Sequence, residues 1–110
     1  MDYDLSQIST EKELTDSRAF KIITDEMYNI YEKKNHDYGN SFADSFKKFG
    51  LISAVVRIGD KFNRISSLMK KERLINDESI EDTLIDMANY CIMSVIELEK
   101  QKIEKERMIS

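Results

Sequence analysis

A column of acidic and amide side chains lies near the start of the last long helix that the sequence predicts. Its members follow steps of four, four and three residues: Glu78, Asp82, Asp86 and Asn89. Such steps place side chains along one stripe of a helix. Carboxylates in this arrangement can bind Mg²⁺, and a further carboxylate can activate water as a general base. We therefore take Asp82 and Asp86 as candidate metal ligands, and Glu78 and Asp86 as candidate catalytic residues.

A basic stripe in the preceding predicted helix could face this column. Arg57, Lys61 and Arg64 recur at steps of four and three. Two antiparallel helices joined by the short polar link 72–77 would bring these cations toward the acidic column. One interpretation is a ladder of interhelical ion pairs that fixes the register of the two helices. The other is a mixed-charge cleft, in which the cations bind phosphate oxygens and the acidic column holds a divalent cation or a ribose hydroxyl.

A third group of polar and aromatic residues lies between residues 33 and 42, which we interpret as a structured loop because turn-forming residue types are dense there. Its candidate ligand-binding residues are Lys34, Asp37, Tyr38, Ser41 and Phe42. A lysine can bind a phosphate by charge, and an aromatic ring can stack on a base. The alternative is a plain connection between helices, with the two aromatic rings anchored in the core.

The composition predicts the elements that must position these side chains. The chain has 110 residues, no proline and three glycines, so it favours long helices. We predict an all-α fold, a compact bundle of about four helices that forms an oligomer. We assign residues 1–15 to an N-terminal arm or short helix, residues 16–100 to a single helical domain, and residues 101–110 to the charged end of the last helix.

Apolar periodicity gives a helix that is capped by Asp16 and runs to about Lys34, a short helix that ends at Gly50, and long helices from Leu51 and Asp77. Two apolar stripes of the long helices are expected to be buried. They consist of Ile52, Val55, Ile58, Phe62, Ile65, Leu68 and Met69 in the first, and Leu84, Met87, Ala88, Cys91, Ile92 and Val95 in the second. Phe42, Phe46 and Phe49 are also expected in the core.

Charge and composition exclude several classes of protein. A net charge of −4 argues against binding of extended nucleic acid but permits one small phosphorylated ligand in a basic pocket. The single cysteine, Cys91, allows no intramolecular disulfide and no zinc cluster. No apolar run reaches the length of a membrane span, and the N-terminus lacks a signal-peptide pattern. We expect a cytoplasmic protein, in the host cytoplasm if a phage encodes it, with no membrane partner.

Three motifs in order carry a resemblance to a known family. They are Lys34-x-x-Asp37-Tyr38-Gly39-x-Ser41-Phe42, Arg57-x-x-Asp60-Lys61-x-x-Arg64 and Asp77-Glu78-Ser79-x-x-Asp82-Thr83-Leu84-x-Asp86-Met87-Ala88-Asn89-Tyr90. Over roughly residues 33–95 the chain resembles the small helical nucleotide modification associated domain, which is found mainly in bacteriophages and prophages. The resemblance implies an association with phage nucleotide metabolism and says much less about a reaction.

From Asp82 to Tyr90 the chain is also distantly similar to the all-α nucleoside triphosphate pyrophosphohydrolases. Those enzymes are oligomeric and hydrolyse nucleotides to monophosphate and pyrophosphate on magnesium-binding carboxylates. They pair a Glu-x-x-Asp helix with a Glu-Glu-x-x-Glu helix, whereas this chain has Thr83-x-x-Asp86 and only Asp60. The resemblance therefore implies at most one Mg²⁺, bound by Asp82 and Asp86, with Glu78 as the base.

Three functions fit these observations. The first is a nucleotide-binding bundle in which Lys34 and the basic stripe bind phosphates, Tyr38 or Phe42 stacks on the base, and a hydrolytic version uses Mg²⁺. The second is a non-enzymatic oligomer that sequesters a host nucleotide second messenger, linear or cyclic, and so blunts a defence system. The third is a structural or partner-binding module in which both polar stripes only fix the register.

Overall fold

The chain is all-α throughout the residues that the computed structural model describes, which are 15–38, 40–71 and 78–109. These residues form four helices: α1 (Asp16–Tyr38), α2 (Ser41–Phe49), α3 (Leu51–Met69) and α4 (Glu78–Ile109). The predicted fold class is thereby confirmed. The chain divides into two compact units, residues 1–39 and residues 40–110. Within the described ranges, no helix has both the length and the apolar character of a membrane span.

Helix α1 begins and ends at different residues from those predicted. The Thr15 hydroxyl accepts a hydrogen bond from the Arg18 amide at 3.2 Å, so Thr15 caps the helix and Asp16 lies in its first turn. The helix continues to Tyr38, so the predicted loop is wrong over residues 33–38. Those residues include no glycine or proline, and nothing in their covalent structure ends a helix. On the exposed surface, a hydrogen bond to Glu32 raises the pKa of Tyr28.

Gly50 separates α2 from α3. Its amide donates to the Phe46 carbonyl at 2.8 Å, which closes α2, and its carbonyl accepts from the Ser53 amide at 3.1 Å, which starts α3. The backbone angles are φ 79° and ψ −165°, a region that only glycine adopts without strain. A single residue therefore ends one helix and begins the next, and fixes the direction in which α2 folds onto α3.

Helices α3 and α4 pack antiparallel, and α2 packs against both. Three contacts show the direction, since residue numbers rise along α3 as they fall along α4: Arg57 with Tyr90, Lys61 with Asp86, and Arg64 with Thr83. The buried core of this unit joins α2 to the two long helices. It contains Phe42, Phe46 and Ala54, with Tyr90 and Met93 packed against it.

Much of the predicted core is exposed in the single chain. The apolar residues that were expected to be buried and are exposed are Phe49, Ile52, Val55, Phe62 and Met69 from α2 and α3, and Leu84, Cys91, Ile92 and Val95 from α4. The prediction is wrong for these residues. The physical reason is that α2 covers one side of the α3–α4 hairpin, and its aromatic side chains fill the contact there.

Replacing Gly50 by alanine should destabilise the unit formed by residues 40–110. A Cβ at Gly50 meets no atom within 4 Å, so the cost comes from the backbone conformation alone. We expect a loss of about 1–3 kcal/mol in the free energy of unfolding, measured by urea denaturation. Gly59→Ala is the control, because Gly59 lies inside α3 with open space around it and alanine there should stabilise by about 0.5–1 kcal/mol. Equal effects at the two glycines would contradict a backbone requirement for glycine at position 50.

Phe46 should contribute far more to stability than Phe49 in the same helix. Phe46 is 1% exposed and Phe49 is 67% exposed. Because Phe46→Ala leaves a cavity in the core, we expect it to lower the free energy of unfolding by about 3–5 kcal/mol. Phe49→Ala should change it by less than about 1 kcal/mol. Chemical denaturation of both variants would refute the assigned core if the two losses were similar.

Candidate functional site

The predicted polar residues of the two long helices meet along one line, which we call the polar seam. It consists of Arg57, Lys61 and Arg64 from α3 and Thr83, Asp86 and Tyr90 from α4. The spacing of four and three on α3 is matched by three and four on α4. Of the predicted pairing of the basic stripe with Asp82, Asp86 and Asn89, the structure shows the contact of Lys61 with Asp86, whereas Arg64 contacts Thr83 and Arg57 contacts Tyr90.

At the centre of the seam, Lys61 approaches Asp86. The ammonium nitrogen and the carboxylate oxygen are 3.5 Å apart, and the two side chains are 30% and 31% exposed. An ion pair of this length and exposure contributes about 0–1 kcal/mol to the free energy of unfolding, so it stabilises the fold only weakly. A negatively charged ligand can therefore compete with Asp86 for the Lys61 ammonium group.

At one end of the seam, Arg64 is held by a neutral partner. Its Nε donates to the Thr83 hydroxyl at 3.3 Å. Thr83 is 3% exposed, and its hydroxyl donates in turn to the Ser79 carbonyl one turn earlier in α4. Because that proton is used within the helix, the hydroxyl oxygen is available to accept from Arg64. Arg64 itself is exposed, and this contact uses its Nε rather than its terminal nitrogens.

At the other end, Arg57 lies against aromatic rings. Its guanidinium carbon is 5.4 Å from the centre of the Phe42 ring and 5.9 Å from that of Tyr90. Those two rings stack at 5.8 Å with an interplanar angle of 20°. One terminal nitrogen donates to the Ser45 hydroxyl at 3.3 Å. The rings restrict the position of the guanidinium and attract its charge without neutralising it.

The two arginines therefore share an electrostatic property. Each donates to a hydroxyl group, and neither forms an ion pair with a carboxylate within the described ranges. The three cations of the seam lie within about 10 Å along α3, given a rise of about 1.5 Å per residue. The seam thus presents a short row of positive charge on a chain whose net charge is −4.

The other predicted site residues lie at different distances from this row. Asp82 is half-buried one turn before Asp86, and Asn89 is half-buried next to Tyr90. Ser41 is exposed at the first position of α2. Phe42 is 5% exposed and belongs to the core, which favours the packing interpretation of its ring over stacking on a base.

For four of the predicted site residues, no described contact places the side chain at the polar seam. Lys34 is exposed on α1, in the unit formed by residues 1–39. The side chains of Asp37, Tyr38 and Glu78 lie outside the described residues, although their backbones belong to α1 and α4. Their assigned roles as ligand-binding and catalytic residues stay predictions.

Three seam contributors were not assigned a role from the sequence: Ser45, Thr83 and Tyr90. The signal for two of them was present, because Thr83, Asp86 and Tyr90 follow steps of three and four that match the basic stripe. The carboxylate column shares Asp86 with this row, but Asp82 and Asn89 each precede a seam residue by one position, which is about 100° around the helix. Ser45 has no such signal, since its position depends on how α2 folds onto α3.

The described residues contain no cluster of three or more His, Cys, Asp and Glu side chains that could hold a metal ion. Asp82 and Asp86 lie one turn apart and offer a pair of carboxylates. Mg²⁺ keeps several water ligands and commonly binds one or two carboxylates together with substrate phosphates. The pair therefore fits a magnesium ion that a nucleotide brings with it, in preference to an ion held by protein ligands alone.

The profile of the family described as nucleotide modification associated domain 1 matches residues 34–98. These residues include the whole polar seam. A search of curated proteins and a search of solved structures found no match to the chain, and no comparison shows the likeness to nucleoside triphosphate pyrophosphohydrolases. Because the matched region exceeds half of the 110 residues, the chain belongs to the nucleotide modification associated domain 1 family.

Proposed function

We propose that the protein binds the phosphate groups of a nucleotide along the polar seam. The observation that supports this most is that Arg57 and Arg64 are each held by a hydroxyl group, with no carboxylate partner among the described residues. Arginine presents a planar fork of donors that matches phosphate oxygens. The family description adds a coarse link to nucleotide metabolism.

The row of cations suits a ligand with more than one phosphate. Arg64 and Lys61 are accessible, and Arg57 lies one turn further along the same stripe. A phosphate between Arg64 and Lys61 would compete with Asp86 for the Lys61 ammonium group. Because the ammonium and carboxylate groups are 3.5 Å apart, replacing the carboxylate by a phosphate would cost little free energy. Asn89 and Ser41, which belong to the same unit as the seam, are candidates for contacts with the base or ribose.

In this proposal, the nucleotide brings a magnesium ion with it to the polar seam. Asp82 and Asp86 would hold the ion, which would neutralise phosphate charge and, as a Lewis acid on a phosphoryl oxygen, favour attack by water. In the hydrolytic version, Glu78 would activate that water. In the sequestering version, the protein retains an intact linear or cyclic nucleotide. The two versions differ in the fate of the ligand, which an experiment can follow directly.

Removing Arg64 should weaken nucleotide binding. Isothermal titration calorimetry with a nucleoside triphosphate should show an affinity for Arg64→Ala about 10–100-fold lower than for the wild type, because charge-assisted hydrogen bonds contribute about 1.5–3 kcal/mol. Arg107→Ala is the matched control. Arg107 lies in the last turn of α4, about 36 Å along the helix from Thr83. Its removal should leave the affinity within about threefold of the wild type.

A wild-type protein that binds none of a panel of linear and cyclic nucleotides, with or without Mg²⁺, would contradict the proposal. Arg64 would then serve only to fix the register of α3 and α4, and Arg64→Ala would lower stability alone. An equal loss of affinity in Arg64→Ala and Arg107→Ala would also contradict it, since that result indicates diffuse charge attraction.

Replacing Asp86 by asparagine should distinguish the hydrolytic version of the proposal from the sequestering version. Without Mg²⁺, Asp86→Asn should raise the affinity for a triphosphate about threefold or more, because Lys61 loses its competing carboxylate. Chromatography of the ligand after incubation with Mg²⁺ reports turnover. Release of monophosphate by the wild type but not by Asp86→Asn identifies hydrolysis, and recovery of intact ligand from both identifies sequestration. Unchanged affinity in Asp86→Asn without Mg²⁺ would place the phosphates away from Lys61.

A further inference from the structure

A second feature of the α3–α4 hairpin lies outside the proposed nucleotide site. Each helix carries a row of six positions spaced by four, three, four, three and four residues. On α3 these are Leu51, Val55, Ile58, Phe62, Ile65 and Met69. On α4 they are Ile80, Leu84, Met87, Cys91, Ser94 and Leu98. We call these twelve positions the apolar face.

Both rows lie on the same side of the hairpin. Ile58, Phe62 and Ile65 each follow a residue of the polar seam on α3 by one position. Leu84, Met87 and Cys91 do the same on α4. One residue corresponds to a turn of about 100° around a helix. Because the two helices run in opposite directions, equal turns carry both rows to one side of the pair.

This face carries no charge; seven of its twelve residues are exposed, four are half-buried, and Ser94 is buried. Although 35% of the chain is Asp, Glu, Lys or Arg, none of the twelve positions carries a charge. Exposure values are highest in the middle and at the end of α3, at 61% for Phe62 and 72% for Met69, and Leu84 on α4 is 46% exposed. Cys91 is exposed as well. A solvated helix face would carry charged side chains at such positions.

We propose that a second copy of this chain covers the apolar face, so that two α3–α4 hairpins pack face to face as a four-helix bundle with two-fold symmetry. Both rows alternate steps of four and three residues, the pattern of positions at which helices interlock along a shared seam. A two-fold interface requires one self-complementary patch, and an uncharged face of two parallel rows meets that requirement without opposing like charges.

The exposed area of the apolar face is large enough for the interface of a stable dimer. Six side chains of the face are 37–72% exposed: Leu51, Val55, Phe62, Met69, Leu84 and Leu98. Together with Cys91 and the half-buried members, they offer on the order of 600 Å² of apolar surface. Interfaces are about 65% apolar in homodimers, so the whole contact would bury on the order of 900 Å² per copy, against about 800 Å² per partner in a typical stable complex.

Two neighbouring valines provide a matched test. Val55 belongs to the apolar face and is 49% exposed, whereas Val56 lies outside it and is 56% exposed. Sedimentation equilibrium should give the wild type a mass of twice the 12.9 kDa chain. Val55→Asp should raise the dimer Kd roughly 100-fold or more, because it buries an unpaired carboxylate. Val56→Asp should stay within about threefold of the wild type.

The single cysteine provides an independent readout on the unmodified chain. Cys91 lies on the apolar face, so a maleimide reagent should label it slowly at concentrations where the dimer predominates and faster on dilution. A wild-type monomer at all concentrations would overturn the proposal, and a monomer with protected Cys91 would indicate that the chain covers this face itself. Equal dissociation in Val55→Asp and Val56→Asp, with helical content retained in both, would also overturn it.

Discussion

Arg57, Lys61 and Arg64 meet Tyr90, Asp86 and Thr83 in a single antiparallel register, and most other features of the unit formed by residues 40–110 depend on it. Contacts outside the polar seam also fix the register of α3 and α4. Gly50 sets the path from α2 into α3, and the aromatic cluster of α2 packs against Tyr90 and Met93. A shift by one residue would rotate each helix by about 100° relative to its partner and separate all three pairs. The weak Lys61–Asp86 ion pair is therefore mainly a result of the register and contributes little to fixing it.

The same register gives the hairpin two chemically different surfaces. The seam keeps arginines close to hydroxyl groups and aromatic rings, so their positive charge is positioned without being neutralised. About 100° away on both helices, the side chains of the apolar face are uncharged and, except for Ser94, apolar. Few apolar side chains are fully buried among the described residues, and the proposed association of two copies would bury more of them. Binding of an anionic ligand and association of two copies can thus coexist on one pair of helices.

The helix content and the facing polar stripes could be predicted from spacing alone, because a helix converts sequence periodicity directly into shared faces. The steps from Arg57 to Arg64 sufficed to place three cations on one side of α3. What spacing could not decide is which of two apolar sides of α3 and α4 would be covered within one chain. That choice depends on the tertiary position of α2, and it left Val55, Phe62 and Cys91 exposed where burial was expected. The contact of Arg57 with Ser45 depends on the same tertiary step.

Nuclear magnetic resonance of the arginine Nε–Hε groups during titration with a nucleoside triphosphate tests the central claim most directly. These resonances report on individual guanidinium groups, and the chain has arginines both inside and outside the polar seam. We predict saturable shifts of the Arg57 and Arg64 resonances, with Arg107 unchanged. Shifts of similar size at all arginines, or none at Arg57 and Arg64, would contradict phosphate binding at the seam.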